Sequence, residues 1–186
     1  VMAQQMFGGH GYIEEWGMGQ FVRDARIAMI YEGANGIQAL DLVGRKLPRN
    51  GGAALMRYIG EIGAFVQANA ADEAMMPVAG PLKAGLDDLQ AASMWLMQHG
   101  FANPDNAGAA SVDYLHLFGL VSLGYMWGLQ ARAAADRLKS GPDAAMTMKL
   151  TLARFYMERL MPETASRLAA LKAGSATMMA VPAEMF

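Results

Sequence analysis

"LFGLVSLGYMWGL" (Leu117–Leu129) is the longest apolar run in the chain, and its reading decides the fold. At 13 residues it falls short of the roughly 20 that a helix needs to span a bilayer. It sits inside a longer helical pattern, from about Ala107 to Lys139, which stops at "SGPD". The middle of that pattern is apolar nearly all round, which marks the most buried helix of a core. Two glycines four apart, Gly124 and Gly128, would let a neighbouring helix approach it closely.

Three more long helical patterns surround this one. The first runs from Ala53 to Ala71, with Leu55, Ile59, Ile62 and Val66 spaced by three and four. The second runs from about Val78 to His99 and carries Leu82, Leu86, Leu89, Met94 and Leu96. The last runs from Ala144 to Lys172, where Pro162 must bend or break it. No alternating strand pattern is present. The expected architecture is all-α: an up-and-down four-helix bundle of long helices, preceded by short helices and a Gly-rich loop. The 17 methionines lie mostly on the helical stripes and read as flexible core filler, with a Met-rich binding surface as the alternative.

Bulk properties narrow the function. The chain has 186 residues, 54% apolar and only 17% charged, enough to bury a sizeable core and leave surface for partners. A net charge of −2 offers no basic excess for nucleic acid. The absence of cysteine excludes disulfides and thiolate chemistry and suits a reducing compartment, so a cytoplasmic location is expected. The chain opens on Val1 with the look of a helix interior and no signal peptide, so a piece of a longer protein is expected.

The first 47 residues are punctuated differently. A short helix ends near Phe7, the turn "GGHGYIEEWGMG" follows, then a helix around "QFVRDARIAM", the "YEGANG" turn and a helix to about Lys46. "LPRNGG" (Leu47–Gly52) sets the boundary between residues 1–47 and 48–186. "GGHGYIEEWG" has neither the preceding strand nor the glycine spacing of a dinucleotide loop; its glycines serve close backbone approach, whether for packing or for an anion. Arg23, Asp24 and Arg26 form either a solvated face or a buried cluster that orients the next turn. Glu32 is the sharpest feature. Asn35 and Gln38 resemble a capping pair that starts a helix at Gly36. Glu32 therefore stands just outside its first turn, near free N–H groups able to hold an anion or a polar ligand edge. A helix N-terminus lowers a carboxylate's pKa, whereas desolvation by the apolar "IAMIY" would lift it toward the range of a general base. Both readings stay open on the residues alone.

Three motifs together resemble one family. Gln5, Gly8, Gly9, Gly11 and Tyr12 match Gln-x-x-Gly-Gly-x-Gly-aromatic; Arg23–Ile27 matches an Arg-Asp-Ala-Arg/Lys-Ile helix; Ile30–Gly33 with Ile37 and Gln38 matches Ile-Tyr-Glu-Gly-Thr and its following Ile-Gln. Order, spacing and identity are similar to the C-terminal catalytic stretch of the flavin-dependent acyl-CoA dehydrogenases. The form of the last motif and the long helical extension most resemble a larger-subunit branch, which includes dehydrogenases of methylthiopropanoyl-CoA.

The resemblance implies that Glu32 is the base removing the α-proton of an acyl-CoA thioester while the β-hydrogen passes as hydride to FAD. It implies substrate contact at Tyr31 and Gly33, the Gly33 N–H holding the thioester carbonyl oxygen. It places Gln5, Gly8 and Gly9 against the FAD of a neighbouring subunit. Ala34 and Gly36 occupy the family's Thr and Gln positions beside the flavin, without those side-chain hydrogen bonds. A homodimer or larger assembly and an electron-transfer partner are implied for the complete enzyme. Residues 48–186 would form an accessory helical domain that steadies the dimer or covers part of the substrate entrance. The family's N-terminal helical domain and β-domain are not in the sequence, so the chain alone is expected to be inactive and free of FAD. The competing expectation is a helical interaction or oligomerisation module with no chemistry of its own.

Overall fold

A computed structural model describes residues 2–31 and 33–185. By Cα proximity the chain divides into two compact units, one through Gln38 and the other from Ala39 onward. The first contains α1 (Met2–Gln5), α2 (Met18–Ile27) and the start of α3 (Asn35–Asp41). Single 3₁₀ turns occupy Gly8–Gly11 and Glu14–Trp16.

The second unit holds the bundle: α4 (Ala53–Asn69), α5 (Met76–Trp95), α6 (Pro104–Leu138), α7 (Ala144–Arg159) and α8 (Glu163–Lys172). The all-α up-and-down bundle predicted from the periodicity is the observed fold. The last predicted helix is two, broken at Pro162 as expected. Helix starts follow local chemistry. The Asn103 side chain accepts from Asp105 N–H with Pro104 in the first turn, so α6 begins three residues before the apolar pattern does. Asp143 caps α7 by accepting from the Ala145 and Met146 N–H groups. Two π turns, Leu42–Lys46 and Leu96–Gly100, extend α3 and α5.

α5 and α6 are the central pair. α5 packs on α4, α6, α7 and α8, and α6 packs on α5, α7, α8 and the Leu42–Lys46 turn. α4 reaches α6 through aromatic side chains: Phe65 lies edge-on to Tyr125 at 5.5 Å, and Tyr58 stacks on Phe118 at 5.6 Å. The Gly124/Gly128 expectation holds. A Cβ on Gly128 would stand 2.7 Å from the Phe65 ring, and one on Gly124 would overlap the end of Met161. Ile62, Leu82, Leu89, Tyr114, Leu117, Val121 and Met157 fill the centre.

Two expectations fail. Met94 is exposed, so the α5 stripe runs through Leu82, Leu86, Leu89 and Leu96 instead. The methionines are not chiefly core filler: Met75, Met157 and Met161 are buried, but twelve of the 17 are exposed. α6 also leaves Val112, Leu123 and Met126 exposed, so its all-round apolarity is only partly used inside the bundle. Among the described residues no helix is long and apolar enough to cross a membrane.

Polar side chains tie the helices. Arg132 of α6 pairs with Asp72 in the α4–α5 connection and with Asp136. Asn106 accepts from both the N–H and the hydroxyl of buried Ser175, clipping the chain after α8 onto the start of α6. Ser93 donates to the Leu89 carbonyl, and Tyr114 in turn donates to Ser93 across 2.9 Å. Burial pushes the Tyr114 hydroxyl up to about 12. Burial, helped by the nearby Glu163 carboxylate, does the same to Tyr156.

Gly128→Val should lower the free energy of unfolding by about 1–3 kcal/mol through overpacking against Phe65. Gly60→Ala on the open face of α4, where a Cβ meets nothing within 4 Å, should raise it by up to about 1 kcal/mol. Urea titration of both variants reads the difference. The tyrosines set an alkaline limit. Their folded pKa values stand above the ordinary 10.0, so their contribution is fully present below pH 10 and is lost as pH rises through about 12. Unfolding titrations should show stability falling across that window, and Tyr114→Phe should flatten the fall.

Candidate functional site

The first unit builds its loop from glycine geometry. Gly8 has φ +56°, in the left-handed region that glycine tolerates. Gly11 is buried, and a Cβ there would overlap the Gln4 carbonyl oxygen. The Gln4 side chain completes the turn by donating to the Gly11 carbonyl at 3.1 Å. Trp16 closes it from the other side, 5.2 Å from the His10 ring and 6.2 Å from Phe7. Gln5, Gly8 and Gly9 are exposed, and a Cβ on Gly9 would meet nothing within 4 Å. That stretch therefore presents bare backbone.

The second part of the site is the turn into α3. Asn35 N–H donates to the Met29 carbonyl at 3.0 Å, tying the start of α3 to the chain after α2. α3 begins at Asn35, one residue before the predicted start, and Gln38 N–H donates to the Ala34 carbonyl. Ala34 thus occupies the capping position and has no side-chain oxygen to offer. The predicted side-chain capping pair of Asn35 and Gln38 does not form: the Gln38 amide lies back over Gly33 instead, 2.6 Å from where a Cβ would be. Gly33 itself has φ +90°. Tyr31 is 52% exposed, Ala34 and Gly33 are half-buried, and Gly36 is exposed. Glu32, the predicted base, lies outside the described residues.

The arginine cluster takes the solvated alternative. Arg23 is exposed and donates to Gln20, which donates to Asp24, and its other contact is Glu14 at 3.8 Å. Arg26 is exposed too, beside the Met29 sulfur. No side chain of this cluster is buried in support of the turn.

Large apolar side chains crowd the surface around both parts. Phe7, Tyr12, Ile13, Trp16, Phe21 and Ile30 are all exposed. The only buried residue among those described in this unit is Gly11. Composition alone could not disclose this, because an apolar residue looks the same in sequence whether it faces a core or an interface. The residues missed from the sequence are glycines, of which only Gly51 and Gly52 drew notice there, as part of a break. Gly44, Gly51, Gly52, Gly100 and Gly108 line a cavity of about 700 Å³ within the second unit.

Gly33→Ala should strain the turn by about 1–3 kcal/mol, since it forces a side chain into the left-handed region. Hydrogen exchange should show faster exchange at the Asn35–Gln38 amides and unchanged protection in α4–α8.

Comparison with known proteins finds relatives along most of the chain. The profile described as "Acyl-CoA dehydrogenase, C-terminal domain" matches residues 2–47, and that described as "Acetyl-CoA dehydrogenase C-terminal like" matches residues 58–182. A 3-methylmercaptopropionyl-CoA dehydrogenase of Ruegeria pomeroyi is 38% identical over 170 residues, covering 86% of this chain and 27% of that protein. A broad-specificity linear acyl-CoA dehydrogenase of Mycobacterium tuberculosis is 30% identical over 168 residues, 85% of this chain and 28% of the other. A butyryl-CoA dehydrogenase of Syntrophomonas wolfei is 30% identical over 194 residues, 99% of this chain and 31% of its own. The chain spans between 27% and 31% of these relatives' lengths. With its first 47 residues and its helical bundle each matched in turn, the chain belongs to the acyl-CoA dehydrogenase family.

Proposed function

We propose that the chain is the C-terminal part of an FAD-dependent enzyme that dehydrogenates an acyl-CoA thioester between its α and β carbons. The observation that carries this reading is the turn at Gly33, in left-handed backbone beneath the Gln38 amide and opening directly into α3. A turn of that kind sets a backbone N–H and the first N–H groups of a helix beside one point, where a developing negative charge is stabilised.

In this mechanism Glu32 takes the α-proton. The Gly33 N–H donates to the thioester carbonyl oxygen, so charge that builds on the oxygen as the proton leaves meets a donor already in place. Tyr31 lies along the acyl group, and the apolar side chains of Ile27, Met29 and Ile30 exclude water from the carboxylate once substrate covers them, which lifts its basicity. FAD, when bound, supplies the acceptor for the β-hydride. The bare backbone of Gly8 and Gly9, with Gln5, would allow close approach by the FAD of a neighbouring subunit, whereas Ala34 and Gly36 would stand beside a flavin without offering side-chain hydrogen bonds.

Residues 1–47 are the catalytic portion in this reading and 48–186 the accessory bundle. The first unit exposes most of its large apolar side chains, which supports its completion by further polypeptide, in a homodimer or larger assembly of the complete enzyme. An electron-transfer partner would reoxidise the flavin. The interaction-module alternative draws on the same exposed surface, but it leaves the Gly33 turn without a purpose.

Glu32→Gln in the complete enzyme should slow flavin reduction by acyl-CoA about 10²- to 10⁴-fold, the usual contribution of a general base. Binding of the CoA ester should stay within about threefold, because no ground-state contact is removed. Reduction at the normal rate would show that another group is the base. The 186-residue chain on its own should copurify without yellow colour and show no dehydrogenase activity.

A further inference from the structure

The cavity in the second unit has a chemistry of its own. Seventeen residues line it, and Ser93 is the only one with a polar side chain. Even that hydroxyl is spoken for. Ser93 gives its hydrogen to Leu89 and receives that of Tyr114, so the cavity wall offers no O–H donor. At about 700 Å³ the space falls in the range of small-molecule sites. Its emptiness is written in glycine: a Cβ on Gly44, Gly51 or Gly108 would meet nothing within 4 Å. Both π turns border it, Leu42–Lys46 through Val43 and Gly44, Leu96–Gly100 through Leu96, Met97 and Gly100. Such insertions are uncommon and recur at functional sites.

The rim adds charge. A second depression adjoins the cavity, sharing Gly44 and Pro48 and otherwise lined by Arg45, Lys46 and Arg49. Asp41 pairs with Arg45 and Lys46, and Arg49 adds a third cation to the depression. An apolar chamber that opens onto a cationic shelf is complementary to a molecule with a hydrocarbon chain and an anionic head. A neutral hydrocarbon would leave the shelf unused, and an apolar protein segment would have to bring its own acidic group to the shelf.

We propose that this cavity binds the chain of an anionic amphiphile, its head resting on Arg45, Lys46 and Arg49. The head is a carboxylate or a phosphate ester. The site uses no residue before Leu40 and stands independently of the proton-abstraction reading.

Calorimetric titration of the 186-residue chain with octanoate, decanoate, decyl phosphate and decanol, below their aggregation limits, tests it. Decanoate or decyl phosphate should bind at one site, and the stronger of the two names the head. Affinity should rise about three- to fourfold per methylene from octanoate to decanoate, following the transfer free energy of a buried CH₂. Decanol should bind several-fold more weakly, and Arg49→Gln together with Lys46→Gln should reduce the two anions to its level. Gly44→Leu and Gly108→Leu place side chains in open space, so they should keep the melting temperature and abolish binding. The proposal is overturned by absence of saturable binding, or by binding that both leucine variants leave unchanged. It is equally overturned if decanol matches decanoate, or if sedimentation shows a dimer that the leucine variants dissociate, since a second copy would then be the occupant.

Discussion

Met161 is the point on which the bundle depends. Its side chain is almost wholly buried between the two central helices, against Gly85 of α5 and Gly124 of α6. A Cβ at Gly85 would stand 2.6 Å from its sulfur, so neither glycine can carry a side chain without moving the methionine. The residue lies in the break between α7 and α8, just before Pro162. A continuous helix there would carry Met161 on past the seam; the interruption lets one flexible thioether fill the gap that two glycines leave. From this point α8 continues along α6 in the direction set by α7, from the Tyr156–Leu120 contact to Arg167 on Asp113, and Thr164 donates to Asp88 of α5.

That arrangement explains which features could be read from sequence. Leu82, Leu86, Leu89, Ile59, Ile62 and Val66 repeat at helical spacing because each must reach the same side of its helix, so the bundle is legible in the sequence. The break at Pro162 was legible because proline removes a donor. Exposure was not. The apolarity of Leu123 and Met126 is the same property whether they face a neighbouring helix or the surface, and hydrophobic patterning records only affinity for a nonpolar environment. The methionines misled for the same reason, their chemistry suiting cores and interfaces alike.

The candidate site was legible in a different way. Identity and spacing singled out Gly8, Gly9, Gly11, Gly33 and Gln38, but each acts through backbone torsion or close approach, which a sequence names without showing. Gln38 reads as a helix cap, and the structure makes it a roof over Gly33 instead. The one-residue shift of the α3 start follows from the Ala34 carbonyl accepting from Gln38 N–H, a bond that any residue at position 34 could make and no composition signals. The cavity glycines were hidden because a glycine that leaves space empty and one that breaks a helix look alike.

The two units obey opposite energetic logic, and this bears on what holds the site in shape. The second unit buries residues of every long helix in one continuous core. The first has no such core, while side chains such as Trp16, Phe21 and Ile30 stand at least half exposed. Burying the exposed part of each would gain roughly 1–2 kcal/mol, so a handful of them is comparable to the lower end of the stability of an ordinary domain, about 5–15 kcal/mol. The local bonds that shape the loops, Gln4 to Gly11 and Asn35 to Met29, are worth only about 1 kcal/mol each. The turn that positions Gly33 is therefore specified by its own hydrogen bonds but can be held firmly only by whatever surface covers those apolar side chains. In the mechanism proposed above, which needs the Gly33 N–H at a fixed point, that makes the covering surface part of the site itself.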